Sequence, residues 1–458
     1  MLTYEEAERR LQATGQEHVL RFWDDLDETH RVRLLAAVEG LDLPWIAAAF
    51  ESEIASVDPA HVHPYTTVIR RDNPKSADAR ARGEKALRAG EVGVLLVAGG
   101  AGTRLGFDSP KGAFPIGPLS KRSLFQVHAE RLVAIGARYG IIPPLYLMTS
   151  PKNHDETCRI FEAHDNFGLP QDRVLIFPQG LAPAIDMAGE LLLSDKDALV
   201  MSPNGNGGLF SALRDGGAFD HMDATGVKTI SYIQVDNALA DSTDPLFIGF
   251  HLLDDNAFSC KAIPKTGPFE KVGNYAEVAE RLGIVEYFEI PEALATQTND
   301  AGELLFNWGN PGLFLWSRDF AKAQAARVDL PVHKAHKRIP HIDAAGHRVE
   351  PTEPNGYKLE TFALDTLAVA ERAIVFACER DEEFAPVKNA EGQDSPASAQ
   401  ALMTARYRQW IEAAGGHVKD GVVVEIDARY ALDAQDLATK ITPGQTFARD
   451  TILDADHA

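Results

Sequence analysis

The feature that most constrains this fold is a short apolar run that ends in glycines, VGVLLVAGG at residues 92–100. An uninterrupted apolar segment of this length is typical of a strand buried on both faces, as in a parallel sheet. Helix-like segments separate it from the next candidate strands, which cover residues 145–150, 174–177, 198–202, 229–236, 247–253 and 312–316. This alternation predicts an α/β fold with a largely parallel sheet flanked by helices.

The segments around these strands show helical patterns. Before residue 90, apolar side chains recur at three-to-four spacing among many Glu and Arg residues, which predicts helices. Ser123 and Gln126 have the spacing of a capping box that opens a helix. The remaining patterns predict a helix over 154–164, a helix over 359–373, a loop over 391–400 and a strand over 422–427. We therefore expect an N-terminal helical region over residues 1–90, a central α/β domain over 91–350 and a C-terminal region over 351–458.

Composition and charge exclude several classes of function. The chain has 458 residues with 45 Lys and Arg against 67 Asp and Glu. The resulting net charge of −22 argues against binding to nucleic acid or to an anionic membrane surface. No apolar run approaches the ~18 residues of a membrane span, and the first residues lack the apolar core of a secretory signal. The three cysteines (Cys158, Cys260 and Cys378) form no CxxC pair, so we expect a soluble, cytoplasmic protein without zinc or disulfides.

A local basic cluster follows the first predicted strand, in VLLVAGGAGTRLGFDSPKG at residues 94–112. Glycines at such a position let the backbone approach a ligand closely and present N–H groups to phosphate. The loop offers Gly99, Gly100 and Gly102, a hydroxyl on Thr103, and fixed positive charge on Arg104 and Lys111. A corner built only to turn the chain would not need three glycines followed by two cations. The loop therefore predicts a site for a triphosphate.

Two familiar phosphate-binding motifs do not fit this loop. A P-loop requires Gly-Lys followed by Ser or Thr, whereas Lys111 follows Pro110. A dinucleotide-binding turn requires GxGxxG, whereas Gly100, Gly102 and Gly106 give GxGxxxG. The next predicted strand, LYLMTS, also ends without the acidic residue that the dinucleotide fold uses. The loop thus indicates a different kind of nucleotide site.

This loop resembles the signature of the sugar nucleotidylyltransferases, AGGxGTRLG followed by PKG, which stands here at residues 98–106 and 110–112. Further matching segments fall in family order: SLFQVHAERL (123–132), PQG (178–180), PNGNGG (203–208), VDN (235–237), VEY (285–287), NWGN (307–310), PNGYKLETF (354–362) and FAPVKNA (384–390). Together they resemble the eukaryotic-type UDP-N-acetylhexosamine pyrophosphorylases, within the UDP-sugar pyrophosphorylase family.

The resemblance implies a Rossmann-like, GT-A-like catalytic domain with a mixed, mostly parallel sheet. It also implies a Mg²⁺-dependent uridylyltransferase that converts UTP and a sugar 1-phosphate into a UDP-sugar and pyrophosphate. The substrate phosphate is already an ionised nucleophile, so positioning and charge neutralisation would suffice for catalysis. N-acetylglucosamine 1-phosphate is the favoured sugar. Two alternatives stay open: an enzyme that uses glucose 1-phosphate or several sugar phosphates, and a non-catalytic protein that binds UDP-sugars.

The family pattern also implies roles for individual residues. Around the nucleotide it places Gly99, Gly100, Gly102, Thr103 and Gln179. Against the phosphates it places Arg104, Lys111, Lys358 and Lys388, and around the sugar Gly205, Asn206, Glu286 and Asn310. Asp236, at the end of a predicted strand, would hold Mg²⁺ against the triphosphate, because hard cations take oxygen ligands.

Three residues depart from the family pattern. Pro178 stands where many relatives have Gln, and Asn204 stands where they commonly have Asp. Trp308 stands where relatives often have a small residue, and core packing is an equally good explanation of its size. A bulky indole in the sugar pocket would crowd an acetamido group but leave room for the 2-hydroxyl of glucose. We therefore expect activity with N-acetylglucosamine 1-phosphate and measurable activity with glucose 1-phosphate.

Overall fold

The computed structural model describes residues 2–52, 59–327 and 331–455. Its α-helices are α1 (Tyr4–Gln12), α2 (Glu28–Glu39), α3 (Leu43–Glu51), α4 (Ser76–Arg88), α5 (Leu124–Tyr139), α6 (His154–Ala163), α7 (Leu209–Asp215), α8 (Ala218–Thr225), α9 (Pro245–Leu253), α10 (Glu292–Ala295), α11 (Arg318–Ala325), α12 (Arg380–Glu383), α13 (Pro396–Ala413) and α14 (Ala434–Ala438). Within these described ranges, no helix is both long enough and apolar enough to cross a membrane.

The strands of the described residues are numbered separately. They are β1 (Val62–Pro64), β2 (Val68–Ile69), β3 (Val92–Val97), β4 (Leu145–Thr149), β5 (Val174–Pro178), β6 (Leu181–Asp186), β7 (Leu193–Asp195), β8 (Ala198–Leu199), β9 (Met201–Pro203), β10 (Thr229–Gln234), β11 (Phe258–Pro264), β12 (Asn274–Val278), β13 (Arg281–Val285), β14 (Trp308–Gly309), β15 (Phe314–Ser317), β16 (Val332–Lys337), β17 (His341–Ile342), β18 (Arg348–Val349), β19 (Gly356–Thr361), β20 (Ala373–Ala377), β21 (His417–Val418), β22 (Val424–Ile426), β23 (Thr446–Phe447) and β24 (Thr451–Leu453).

The chain divides into two compact units, each built from three separate segments. The small unit comprises Met1–Ser56, Gln179–Ser211 and Ala326–Thr366. The large unit comprises Val57–Pro178, Ala212–Ala325 and Leu367–Ala458. The domain boundaries expected near residues 90 and 350 stay predictions.

The large unit is organised around one mixed sheet in the order β1-β12-β14-β11-β15-β10-β3-β4-β5. Strands β10, β3, β4 and β5 are parallel neighbours. Strand β15 joins them antiparallel, and β20 extends the sheet beside β11, with β2 at its far side. Helices α5 and α6 make the crossovers that parallel pairing requires. The predicted mixed α/β sheet with flanking helices is confirmed.

Burial explains why strand β3 forms at residues 92–97. Residues 92–96 of β3 are almost completely buried, as the uninterrupted apolar run predicts. Val94 and Leu96 pack into one core cluster with Leu124, Phe125 and Leu132 of α5. Burying side chains of this size is worth about 1.5–3 kcal/mol each. This packing fixes the position of β3 against α5, and therefore the position at which the glycine-rich loop begins.

The small unit has its own antiparallel sheet, in the order β16-β19-β6-β9. Helices α1, α2 and α3 supply the apolar side chains that pack with it, including Leu11, Leu34 and Ile46. From the sheet, Ile185 and Leu359 belong to the same core cluster. The helical pattern predicted before residue 90 is therefore confirmed for α1 to α4, but the short strands β1 and β2 were not predicted.

The predicted strand over residues 247–253 is wrong, because this segment is helix α9. Asp244 caps the helix by accepting a hydrogen bond from the Leu246 N–H at 2.9 Å, and Pro245 occupies the first turn. The helix packs against α4 at backbone distance, since a Cβ on Gly83 would overlap Pro245 and one on Gly249 would overlap Ala79. A helix buried on all sides shows no amphipathic period, and its apolar run therefore resembles a strand.

Other local predictions are corrected in part. The helix predicted over 359–373 is wrong in its first residues, which belong to strand β19, and only Ala363–Val369 is helical, as a 3₁₀ segment. The loop predicted over 391–400 ends early, because α13 starts at Pro396. Ser123 does cap α5 by accepting from the Gln126 N–H at 3.2 Å. The Gln126 side chain, however, donates to Glu130 at 2.9 Å rather than completing a capping box.

Candidate active site

The glycine-rich loop closes on itself through backbone hydrogen bonds. The Lys111 N–H donates to the Gly100 carbonyl, and the Gly102 N–H donates to the Ser109 carbonyl, both at 3.1 Å. Gly106 has φ of +66°, a left-handed conformation that glycine adopts without strain. A Cβ on Gly102 would lie 2.7 Å from the Phe107 carbonyl oxygen, so a side chain there would collide with the loop backbone. The loop is thus a small rigid hairpin at the carboxyl end of β3.

Gly100 differs from its neighbours because no crowding within the fold requires a glycine there. A Cβ on Gly100 would meet only Lys111 Cε, at an ordinary 3.8 Å. The open side of this glycine therefore offers backbone to a ligand. The residues after it, Thr103 and Arg104, have exposed side chains, so this end of the loop presents a hydroxyl and a cation to solvent.

Lys111 and Asp236 form the charged centre of this edge. The Lys111 Nζ lies 3.1 Å from Asp236 Oδ2, and the side chains are 16% and 12% exposed. Asp236 follows β10, which is the parallel neighbour of β3, so both loops leave the sheet at the same edge. Ligands of open α/β sheets bind at the carboxyl ends of the strands. The structure therefore brings together the glycines, Lys111 and Asp236, as the sequence predicted.

Asn153 joins this edge, although the sequence analysis did not single it out. Its Nδ2 donates to the Ala98 carbonyl at 2.9 Å and lies 3.4 Å from the Gly100 carbonyl. Its Oδ1 accepts from the Ser150 N–H at 2.8 Å. Asn153 thus ties the loop after β4 to the start of the glycine-rich loop. The only sequence signal was an amide beside the MTS segment.

His128 is a second residue that sequence analysis missed. Its Nε2 lies 3.2 Å from the carbonyl oxygen of Val235, the residue before Asp236. Burial lowers the pKa of His128 to about 4. The ring is therefore neutral near pH 7, and one of its nitrogens can donate to that carbonyl. His128 supports the end of β10 without adding charge to the site.

The segment that contains Lys388 is joined to the loop after Asp236. The Val387 N–H donates to the Asp236 carbonyl at 2.9 Å. Asn237 accepts from the Ala385 N–H at 2.9 Å and donates to the Glu383 carbonyl at 2.7 Å. Burial raises the pKa of the nearby Asp394 carboxyl, and the positive charge of Lys388 opposes this shift. The predicted metal ligand and one predicted phosphate-binding lysine therefore lie on hydrogen-bonded neighbouring segments.

Two of the predicted sugar-binding residues meet at Gly273 in the large unit. The Asn310 N–H donates to the Gly273 carbonyl at 2.9 Å, and a Cβ on Gly273 would lie 3.3 Å from Glu286 Oε1. Asn310 Oδ1 accepts from the Tyr275 hydroxyl at 3.2 Å and from the Gly312 N–H at 2.8 Å. These bonds hold the amide in one orientation. Glu286 and Asn310 therefore lie on either side of Gly273, and the Asn310 side chain has a fixed orientation.

The remaining predicted residues belong to the small unit. Gly205 has φ of +81° and fits against the backbone of Thr361, where a Cβ would overlap the carbonyl oxygen. Asn206 Oδ1 accepts from the Ala363 N–H at 2.9 Å, which leaves its amide N–H groups for other partners. Lys358 stands on β19, upstream of this contact, and has no carboxylate partner among the described residues. Gln179 is half-buried just before β6.

Trp308 packs against a cation rather than in the apolar core. The Arg70 guanidinium lies 5.4 Å from the centre of its ring, within the range of a cation–π contact. Both residues line a cavity of about 420 Å³ together with Arg71, Cys378 and Glu379. The effect of Trp308 on sugar choice stays a prediction. Asn204 also departs from the family pattern. Its main-chain carbonyl accepts a hydrogen bond from the Thr361 N–H at 2.9 Å.

A mixed α/β sheet with a glycine-rich loop, a lysine and a carboxylate at its carboxyl edge is the arrangement of a nucleotide-binding protein. The model of the family described as UTP–glucose-1-phosphate uridylyltransferase matches residues 48–427. The chain belongs to this family of nucleotidyltransferases.

Relatives and a solved structure support the same assignment over nearly the whole chain. The chain is 36% identical to the human UDP-N-acetylhexosamine pyrophosphorylase-like protein 1, with 100% of this chain and 98% of the human protein covered. It is 34% identical to UDP-N-acetylglucosamine diphosphorylase 2 of Arabidopsis thaliana, covering 90% and 86%. The UDP-N-acetylglucosamine pyrophosphorylase of Trypanosoma brucei, solved with an inhibitor, superposes with a TM-score of 0.80 at 27% identity, covering 98% and 99%.

Proposed function

We propose that this protein transfers the uridylyl group of UTP to a sugar 1-phosphate, with N-acetylglucosamine 1-phosphate as the preferred acceptor. The observation that most supports this proposal is the Lys111–Asp236 pair beside the glycine-rich loop. A lysine and a carboxylate at one strand edge suit a triphosphate and its counter-ion. The names of the human and Arabidopsis relatives support N-acetylated sugars over glucose.

The reaction needs no covalent intermediate on the protein. A phosphate oxygen of the sugar 1-phosphate forms a bond to the α-phosphorus of UTP, and the bond from this phosphorus to the oxygen bridging to the β-phosphorus breaks. Pyrophosphate leaves with that electron pair, so no proton has to be moved. The barrier arises from the approach of two anions and from their alignment, and the residues of the site address both.

Lys111 and Arg104 would supply the positive charge. The Lys111 backbone N–H is bonded to the Gly100 carbonyl, and its Nζ lies 3.1 Å from Asp236 Oδ2, so both ends of this residue are held at the loop. A triphosphate would compete with Asp236 for this ammonium group and would exchange one ion pair for another. Arg104, exposed at the tip, has the length and the two-pronged donor geometry to hold departing pyrophosphate.

Magnesium fits the donor set of this edge. Among the described residues no group of three His, Cys, Asp or Glu side chains could hold a metal. Mg²⁺ commonly binds through one or two carboxylates, with substrate phosphates and water completing its shell. Asp236 supplies one carboxylate at the same sheet edge as the glycine-rich loop, and this carboxylate would hold the ion. Bound there, the ion would neutralise charge on the phosphates.

Other residues would select the sugar and the base. Glu286 and Asn310 would accept and donate hydrogen bonds to sugar hydroxyls, and the free amide N–H groups of Asn206 would do the same. Lys358 and Lys388 would contact phosphates, and Gln179 would read the uracil edge. We also propose a cytoplasmic location, which agrees with the three free thiols at Cys158, Cys260 and Cys378.

A pyrophosphate-release assay tests the proposal. The purified protein is mixed with UTP, Mg²⁺ and N-acetylglucosamine 1-phosphate, and pyrophosphate is followed with a coupled enzyme. We expect release that depends on all three components. If the protein binds UDP-N-acetylglucosamine but releases no pyrophosphate with any sugar phosphate, it is a binding protein and the catalytic proposal is wrong.

A further inference from the structure

Lys261 is a lysine that the proposed reaction does not use, and it is completely buried. It stands on β11, and its side chain is 0% exposed. Its Nζ lies 2.5 Å from Glu383 Oε1 and 3.4 Å from Asp244 Oδ2. Removing an ammonium group and two carboxylates from water is expensive, and apolar residues would often give equal or greater stability. A role other than stability is therefore worth examining.

Glu383, the partner of Lys261, joins two segments of the chain. Its Oε2 accepts from the Asp241 N–H at 3.1 Å, and its main-chain carbonyl accepts from Asn237 Nδ2 at 2.7 Å. Asp241 and Asn237 both belong to the loop that follows β10, and Glu383 is the last residue of α12. The two hydrogen bonds therefore tie the loop after β10 to the segment that begins at the end of α12.

The two joined segments contain predicted site residues. Asp236 opens the first segment, and Lys388 lies just beyond the second. They meet where the Val387 N–H donates to the Asp236 carbonyl at 2.9 Å. A shift of Glu383 would therefore move two groups together: the main-chain carbonyl of Asp236 and the backbone that precedes Lys388.

Two further, half-buried cations hold the same segments from the helices α5 and α13. Arg131 of α5 lies 2.6 Å from Asp241 Oδ2. Arg406 of α13 donates to the carbonyls of Leu239 at 3.2 Å and Glu382 at 2.9 Å. The loop after β10 and the segment after α12 are thus fixed from β11, α5 and α13. Of these three cations Lys261 contacts Glu383 directly, and Arg71 Nη2 lies farther from the same carboxylate, at 3.7 Å from Oε1.

We propose that the Lys261–Glu383 ion pair is a positioning device that sets the place of Asp236 and Lys388 against the glycine-rich loop. The inference rests on the proposed uridylyl transfer, in which Asp236 would hold the metal. An ion pair at a single short distance allows one register of the two segments, whereas an apolar contact tolerates sliding. Misplacing reacting groups by about 1 Å can cost on the order of 10²-fold in rate.

The experiment replaces both charges with unbranched apolar side chains, in the double variant Lys261→Met with Glu383→Met. The substitutions remove one positive and one negative charge, and Asp244, which also faces Lys261, keeps Arg71 Nη2 at 3.8 Å. We therefore expect this variant to fold, with a melting temperature below that of the parent. We expect kcat to fall about tenfold or more, with a higher Mg²⁺ midpoint and a KM for UTP that changes little. Hydrogen exchange should become faster at the amides of Ala385 and Val387, which is a readout independent of turnover.

A matched control removes a different, partly buried pair by Arg122→Met with Glu130→Met, whose side chains are 13% and 7% exposed. Asp427, which also pairs with Arg122, keeps its contact with Arg429 at 2.8 Å. This pair contacts neither joined segment, so its kcat, its Mg²⁺ midpoint and these two amides should match the parent. If the Lys261/Glu383 double variant keeps the parent kcat, midpoint and exchange rates, the positioning role is wrong. A parent protein without pyrophosphate release would instead contradict the proposed function, while the exchange measurement would still decide the positioning role.

The single variant Glu383→Gln decides the question if the double variant does not fold. It keeps the size of the side chain but weakens the contact with the Lys261 ammonium group. We expect a smaller loss of kcat and a smaller rise in the Mg²⁺ midpoint, again with faster exchange at Val387. A folded Glu383→Gln protein identical to the parent in all three would overturn the inference.

Discussion

Gly100 in the glycine-rich loop of the large unit and Gly205 in the PNGNGG loop of the small unit are glycines for different reasons. In the first, Gly100 faces open space, and a Cβ there would touch only Lys111 Cε at 3.8 Å. In the second, Gly205 has φ of +81° and lies against Thr361, and a Cβ on Gly207 would lie 2.6 Å from Thr361 Oγ1. The fold itself requires the second set, whereas nothing within the fold requires Gly100.

This difference distinguishes two kinds of glycine that cannot be told apart from the sequence alone. A glycine without neighbours leaves room for a ligand, so replacing it should affect binding before it affects stability. A glycine packed against backbone is part of the architecture, so replacing it should affect stability first.

The largest expected effect comes from Lys111→Ala. If the open loop serves a triphosphate, loss of this preorganised charge should lower kcat/KM by on the order of 10²-fold or more with little change in melting temperature. The matched control is Lys228→Ala, because Lys228 pairs with Glu91 at 2.7 Å just before β10 and β3, at the opposite end of the same strands. Near-normal turnover of the Lys111 variant would remove this residue from the site and weaken the comparison.

Asp236→Asn should have the next largest effect. The substitution keeps the shape of the side chain but removes the negative oxygen that would hold the metal. We expect the Mg²⁺ concentration for half-maximal activity to rise, and titration of activity against Mg²⁺ measures it. Glu91→Gln serves as the control at the other end of the sheet. An unchanged midpoint and maximal rate would assign Asp236 a purely structural role, as partner of Lys111.

The sugar preference should give a smaller effect, measured on the unmodified protein. We expect N-acetylglucosamine 1-phosphate to be used and glucose 1-phosphate to give measurable turnover, because steric discrimination of this kind is worth about 1–3 kcal/mol, or roughly 10- to 200-fold. A coupled pyrophosphate assay with glucose, galactose and both N-acetylhexosamine 1-phosphates ranks the substrates. Turnover with glucose 1-phosphate alone would overturn the N-acetylhexosamine preference but leave uridylyl transfer intact.

The two glycines themselves should give the smallest effects and the sharpest test of the comparison. Gly205→Ala forces a side chain into a left-handed conformation and into Thr361, so unfolding free energy should drop by about 1–3 kcal/mol. Gly100→Ala should leave the melting temperature nearly unchanged and raise the KM for UTP. Thermal unfolding and initial rates measure both. If Gly100→Ala is the less stable of the two, the distinction between the loops fails.

Strong local patterns were enough to predict the parallel part of the sheet. The apolar run of β3, the alternation that follows it and the helix over 154–163 are all visible in the sequence. Helix α9 was not recognised because an apolar stretch buried on every side has no period, although Asp244 and Pro245 gave a capping signal. Strands β1 and β2 were missed because two or three residues become a strand only when partners exist, and those partners lie far along the chain.

The candidate site was predicted where a motif joined residues within one loop, and less well where contacts came from distant segments. Lys111 and Asp236 were both named from sequence, yet their 3.1 Å pairing depends on β3 and β10 being neighbours. Asn153 and His128 contact backbone carbonyls. Every residue has such a carbonyl, so the sequence does not indicate these partners. The burial of Lys261 could not be predicted, since most lysines are solvated surface residues.

The place of β2 and β20 in the large sheet has a consequence for how the chain folds during synthesis. Val68 pairs with Val375, and β20 also pairs with β11 between Phe258 and Ala373. As the ribosome releases the chain, β11 must wait for roughly a hundred residues before its parallel neighbour emerges, and β2 must wait far longer. Open strand edges of that lifetime invite pairing with other nascent chains. We expect newly made protein to depend on chaperones until residue 377 has left the ribosome exit tunnel, and truncations before that point to aggregate.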